Sequence, residues 1–120
     1  MKEYKEIQVA LLGLGTVGLG VYKVLQMQKE EMQHKIGTEI KIKKILVRNL
    51  EKAAGKIEDA SVLTDSWQEI VNDDEIQIVI EVMGGMEPAR TYIMEAMQAG
   101  KQVVTANKDL IAADGKELMD

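Results

Sequence analysis

Two groups of residues in this chain have types and spacings that could do chemistry. Gly13, Gly15 and Gly18 stand as G-x-G-x-x-G directly after the apolar run Ile7-Gln8-Val9-Ala10-Leu11-Leu12, and Thr105-Ala106-Asn107-Lys108 follows a second, shorter apolar run. Glycines react with nothing; what they offer is room. Between a strand and a helix, the first glycine lets the chain turn sharply, the second lets backbone approach a pyrophosphate, and the third lets the helix lie close to the sheet. The turn from Gly13 through Leu14, Gly15, Thr16 and Val17 to Gly18 would then set the positive end of the helix against phosphates. The competing reading is a strand-to-helix turn whose glycines serve packing alone.

Lys108 is the candidate proton carrier. Beside a cofactor, a lysine can have its pKa lowered enough to exchange protons, or stay cationic and polarise a carbonyl. Its plain alternative is a surface lysine opening the next helix. Arg48, in Val47-Arg48-Asn49, stands where a ribose-binding acid would be expected in an NAD site. A guanidinium suits a 2′-phosphate instead, through charge-assisted bidentate bonds, which favours NADP over NAD; a solvated loop cation is the alternative. Glu39 is nearer the nominal distance for a ribose acid but lies at the amino end of its strand.

The elements that must position these residues alternate strand and helix. Val17, Val21, Val24, Leu25 and Gln28 fall at helical spacing, so a helix is expected over residues 16–33, with Met27 and Met32 as core filler and His34 at its polar end. Residues 39–47 alternate apolar and basic and then turn fully apolar, as a second strand would. Residues 50–55 suffice for a short helix, 57–61 for a loop and 62–64 for a short edge strand. Ser66 and Glu69 form a capping-box pattern ahead of a brief helix whose buried face holds Trp67, Ile70 and Val71. Residues 76–83 are the longest apolar run, expected as a central strand buried on both faces. Glu81 is the odd residue within it: either a crevice residue or a structural acid satisfied by backbone N–H groups. Gly84-Gly85 follow at the strand's carboxyl end, the side on which open parallel sheets bind ligands. Pro88 suits the first turn of a helix burying Ala89, Tyr92, Ile93, Ala96 and Met97, stopped by Gly100. Residues 101–105 read as the fifth strand.

This order implies an α/β fold, one domain over residues 1–120, built as a doubly wound parallel sheet of the Rossmann type ordered 3-2-1-4-5. A chain of 120 residues is long enough for one core. A net charge of -5 and 3% aromatic residues argue against a nucleic-acid partner. No apolar run is long enough to span a bilayer, and a charged start with no cysteine points to the cytoplasm. Zinc, calcium and hydrolase spacings are absent from the sequence, so no metal site is expected.

Residues 10–18, 79–89 and 103–108, taken together in order and spacing, resemble the amino-terminal cofactor domain of homoserine dehydrogenase. The glycine pair followed by Glu87-Pro88 and the Thr105-Ala106-Asn107-Lys108 run are the more specific parts. The resemblance implies NAD(P)-dependent interconversion of aspartate semialdehyde and homoserine, on the route to threonine, methionine and isoleucine. It implies that residues 13–18 hold the pyrophosphate, that Arg48 favours the 2′-phosphate, that Gly84, Gly85 and Thr105 line the nicotinamide side, and that Lys108 lies near cofactor and substrate. Family members continue into a substrate-binding and dimerising domain, so this stretch alone is expected to be inactive and the full-length protein a homo-oligomer. Two alternatives remain: another amino-acid dehydrogenase of the same build, and a stand-alone NAD(H)-sensing module.

Overall fold

A computed structural model describes residues 5–36, 38–83 and 88–105, with side chains left out for residues 28–36 and 38–39 and for Lys5. The elements run β1 (Lys5–Leu12), α1 (Thr16–Ile36), β2 (Thr38–Leu46), α2 (Leu50–Ala54), a 3₁₀ turn (Ala60–Val62), β3 (Leu63–Thr64), α3 (Trp67–Val71), β4 (Ile76–Glu81), α4 (Ala89–Gln98) and β5 (Gln102–Thr105). The five strands form one parallel sheet ordered β3-β2-β1-β4-β5, as the alternation of elements implies. The order reverses at β1, whose neighbours β2 and β4 both come later in the chain, and a crevice opens at such a switch point beyond the carboxyl ends of the strands. Among the described residues no helix is long and apolar enough to cross a membrane.

The apolar sequence of β1 is what a central strand requires. Val9, Ala10, Leu11 and Leu12 are all buried, alternately facing a layer with Trp67, Ile70 and Val79 and a layer with Ile42, Ile45 and the inner face of α1. In β4, Ile76, Val79 and Glu81 are buried, but Gln77 is exposed and Ile78 and Ile80 are only partly covered. This strand is therefore not dry on both faces throughout.

The buried stripe of α1 differs from the one expected. Gly18, Val21, Tyr22 and Leu25 face the sheet, whereas Val17 is 58%, Val24 50% and Met27 80% exposed, so Met27 is not core filler. The cause is Gly18: the residue that approaches the sheet most closely sets the helix's rotation, and its i+3, i+4 and i+7 neighbours follow it inward. The side chains of Met32 and His34 lie outside the described residues. In α4, Ala89, Ile93 and Ala96 are buried, but Met97 is 37% exposed. Gly100 ends α4 at a φ of 86°, with Gly100 N–H donating to Met97 O and Lys101 N–H to Ala96 O, both at 3.0 Å. Those two bonds are a Schellman closure, which favours glycine.

The expected capping box before α3 does not form. Ser66 makes no side-chain cap; the Thr64 hydroxyl accepts from Ser66 N–H at 3.1 Å and donates to Glu69 at 3.0 Å, so Thr64 takes the role given to Ser66. Lys101 is buried and donates to Asp73 O at 2.6 Å and Ile76 O at 2.9 Å, tying the start of β5 to the start of β4. Both amino ends are thereby fixed on the side of the sheet away from the crevice.

Candidate functional site

The carboxyl ends of β1, β2 and β4 share a cleft of about 690 Å³. Its floor is the glycine turn. Gly13 leaves β1 at a φ of 105°, a conformation open to glycine, and its N–H donates to Leu46 O at 2.9 Å, joining the turn to the end of β2. Leu19 N–H donates to Gly15 O at 2.8 Å, the first bond of α1, so the N–H groups of Thr16, Val17 and Gly18 precede any intrahelical partner. The first turn of α1 carries no acidic side chain to compete for them.

The three glycines are not equivalent. A Cβ on Gly18 would fall 2.4 Å from the carbonyl oxygen of Gly13, and one on Gly13 would fall 3.3 Å from Met83 Cα. Both positions are filled by the protein itself. A Cβ on Gly15 would meet nothing within 4 Å. The room kept at Gly15 opens outward, where a phosphate would approach the helix terminus. The turn thus fits a dinucleotide pyrophosphate on geometry as well as on spacing.

The β2 side of the cleft is cationic. Arg48 is exposed just beyond β2, held in place because the adjacent Val47 N–H donates to Thr64 O at 2.9 Å and the adjacent Asn49 side chain caps α2 by accepting from Lys52 N–H at 3.0 Å. Lys52 and Lys56 line the same wall, and Lys56 Nζ donates to Leu14 O at 3.0 Å. One acid, Asp65, is also in the lining. Sequence reading found Arg48 but missed the two lysines. No local signal marks them, because α2 covers only Leu50–Ala54 and leaves both Arg48 and Lys56 off any common helical face.

The β4 side is built on Glu81. Its carboxyl group is fully buried and accepts from Met83 N–H at 2.7 Å and from the Thr105 hydroxyl at 2.5 Å. Of the two readings left open for it, the backbone-satisfied acid is part of the answer and the bond across to β5 is the rest. Val82 N–H donates to Leu12 O at 3.0 Å, holding the end of β4 beside the glycine turn. Pro88 and Tyr92 complete the lining, and Tyr92 stacks on Trp67 with ring centroids 4.5 Å apart. Trp67 is buried and donates to Glu95 at 2.7 Å, so it anchors the wall as expected.

Of the site residues expected from sequence, Gly13, Leu14, Gly15 and Arg48 line the cleft, Thr16 and Val17 are exposed at the head of α1, and Gly18 is buried beneath the turn. Thr105 stands at the end of β5 against Glu81. Gly84, Gly85, Asn107 and Lys108 lie outside the described residues. Among the described residues, no cluster of three His, Asp or Glu side chains could hold a metal ion.

Comparison with known proteins bears on the family and the fold. A family profile described as "Homoserine dehydrogenase, NAD binding domain" matches residues 13–120. Homoserine dehydrogenase of Bacillus subtilis is 44% identical over 115 residues, which cover 96% of this chain and 27% of the relative. That of Lactococcus lactis is 45% identical over 115 residues, covering 93% of this chain and 27% of the relative. Among solved structures, a homoserine dehydrogenase of S. aureus superposes with a TM-score of 0.89 at 44% identity, over 97% of this chain and 30% of that one. One from Thiobacillus denitrificans gives 0.85 at 46% identity, over 96% and 26%. The chain therefore spans about a quarter of the length of the curated relatives it matches.

Proposed function

Since the chain belongs to the homoserine dehydrogenase family, as its NAD-binding domain, we propose that residues 1–120 hold the nicotinamide cofactor for NAD(P)-dependent interconversion of L-homoserine and L-aspartate 4-semialdehyde. The observation that supports this best is the contrast within the glycine turn: Gly13 and Gly18 are filled from inside, and Gly15 is left open toward the cleft. When bound, the dinucleotide supplies or accepts the hydride. The chain's own residues bind and orient it. The backbone from Gly13 to Gly18, with the positive end of α1, takes the pyrophosphate. Arg48 takes a 2′-phosphate, supported by the cationic wall it shares with Lys52 and Lys56, and this favours NADP over NAD. Gly84, Gly85 and Thr105 line the nicotinamide side.

Lys108 is proposed as the catalytic group, transferring a proton at the substrate's carbonyl or hydroxyl oxygen or polarising that carbonyl as a cation. The relatives' remaining three quarters are the place for a substrate and dimerisation domain, so we read the full-length protein as a homo-oligomer drawing on the cytoplasmic cofactor pool, and residues 1–120 alone as inactive. Titration of NADPH and NADH against the chain tests the binding half of this proposal. Saturable binding, tighter for NADPH, is expected; no binding of either dinucleotide refutes it. Homoserine oxidation by the purified 120-residue chain would refute the assignment of the substrate site to the rest of the protein.

A further inference from the structure

Asp65 is the one acid among the described residues that line the cleft. Its place is fixed by its neighbours. Leu46 pairs with Thr64, and the next residue along, Val47, donates its N–H to Thr64 O at 2.9 Å, which brings the end of β3 beside the end of β2. Thr64 is buried, its hydroxyl held between Glu69 and Ser66 N–H. Asp65, between these anchored residues, is exposed at the cleft. Its carboxylate has no hydrogen-bond or ion-pair partner among the described residues, although Lys52 and Lys56 line the same cleft.

An unpaired carboxylate is out of place where phosphates bind. Coulomb repulsion lowers affinity for a pyrophosphate and a 2′-phosphate unless the acid bonds some other part of the ligand. The order of the strands says which part. A dinucleotide with its pyrophosphate on the turn after β1 and its 2′-phosphate at Arg48 after β2 carries its adenine onward to β3, one strand spacing of about 4.8 Å farther. On that side Leu46 and Ala53 are buried and Val47 is half-buried, an apolar lining that suits a flat ring. A carboxylate accepts hydrogen bonds and cannot donate them. The ring nitrogens of adenine are acceptors too; its exocyclic amino group is the donor.

We propose that Asp65 is a specificity-determining residue that accepts a hydrogen bond from the exocyclic amino group of adenine, so that the cleft takes an aminopurine dinucleotide in preference to its oxo counterpart. This rests on the reading of the chain as a nicotinamide-cofactor domain. Asp65 then offsets by that bond the repulsion it exerts on the phosphates.

The experiment compares the dissociation constant of NADPH with that of its hypoxanthine analogue, in which a carbonyl oxygen replaces the amino group, alongside the thermal midpoint of each variant. The wild-type protein is expected to favour NADPH by about five- to tenfold, the order of one hydrogen bond to a charged group. Asp65→Ala loses that preference, and Asp65→Asn, whose amide NH2 can donate to the carbonyl oxygen, loses or reverses it. Both keep the wild-type midpoint, because the side chain they replace is exposed and holds nothing. Tighter binding of both dinucleotides by the two variants, by the same factor, overturns the proposal and leaves Asp65 a bare repulsive charge. Weaker binding of both by the same factor also overturns it, since the acid would then bond a ribose hydroxyl that the two ligands share. A lowered midpoint with an intact preference assigns Asp65 to the fold and overturns it as well. Equal binding of the two by the wild type refutes the proposal while leaving the cofactor domain standing; binding of neither removes both.

Discussion

The ammonium of Lys56 lies 3.0 Å from the carbonyl oxygen of Leu14, so a side chain from beyond α2 is bonded to the middle of the glycine turn. The bond places a cation at the glycine-turn end of the cleft and ties the turn to the α2 wall. Lys56→Met keeps the aliphatic stem and removes the charge. NADPH affinity is expected to fall about three- to tenfold, with little change in stability, and the loss should shrink as salt is raised. Trp67, the one tryptophan of the chain, offers the readout, because it stacks on the cleft residue Tyr92. A loss of affinity unchanged between low and high salt would exclude an electrostatic role.

Arg48 is exposed, and its value lies in what it can meet. Arg48→Ala should weaken NADPH by about 10- to 100-fold, the range of a hydrogen bond to a charged group, and leave NADH nearly untouched. The measurement is the ratio of the two dissociation constants. Parallel losses for both cofactors would take Arg48 away from the 2′-phosphate.

Gly15→Ala and Gly18→Ala are the same chemical change with opposite expected outcomes. At Gly18 the added methyl meets the Gly13 carbonyl at 2.4 Å, and α1 must move off the sheet, at about 1–3 kcal/mol or more. At Gly15 it meets no protein atom within 4 Å, so thermal unfolding should be close to wild type while dinucleotide binding is lost. Equal stability losses in the two variants would show that the turn is a packing device only.

How much of this was legible in the sequence depends on how far each relationship reaches. The strand order and the glycine turn were readable because apolar runs, glycine spacing and parallel crossovers are local signals with few topological solutions. Gly100 as the stop of α4 was readable for the same reason. The rotation of α1 was not: Val17 and Val24 satisfy helical periodicity as well as Tyr22 does, and the choice is made by the Gly13 carbonyl pressing on Gly18. Thr64 displaced Ser66 as the partner of Glu69 because β3 places its hydroxyl there, which no capping pattern encodes. Lys56, Lys101 and the bond from Glu81 to Thr105 all join distant parts of the chain, and a single sequence does not say which lysine or acid will find a partner.

Acid sensitivity should concentrate at the foot of β4. The Lys43 ammonium, 2.7 Å from Asp73 and 2.6 Å from Glu75, holds the Asp73 carboxyl below its usual range against the opposing effect of partial burial. The same contacts, that with Asp73 first, raise Lys43 above its ordinary value. The folded state therefore binds fewer protons at Asp73 than the unfolded state does. Its contribution is present above the ordinary carboxylate value of 3.8 and is lost as pH falls below it. Asp73→Asn should flatten the fall in stability below about pH 4, by a small amount because the pair is open to solvent. A profile from chemical denaturation at stepped pH that keeps its wild-type slope would show that other carboxylates set the acid limit.

The place of β1 in the middle of the sheet has a consequence for synthesis. As the chain leaves the ribosome, β1, β2 and β3 can associate first, and the flank of β1 that will receive β4 stays bare until the far half has been made. That flank is a short, apolar, unpaired edge, the kind of surface that recruits other nascent chains. Slow translation between β3 and β4 would lengthen its exposure, and a chaperone that shields one strand edge would serve this protein better than one that shields a whole collapsed globule.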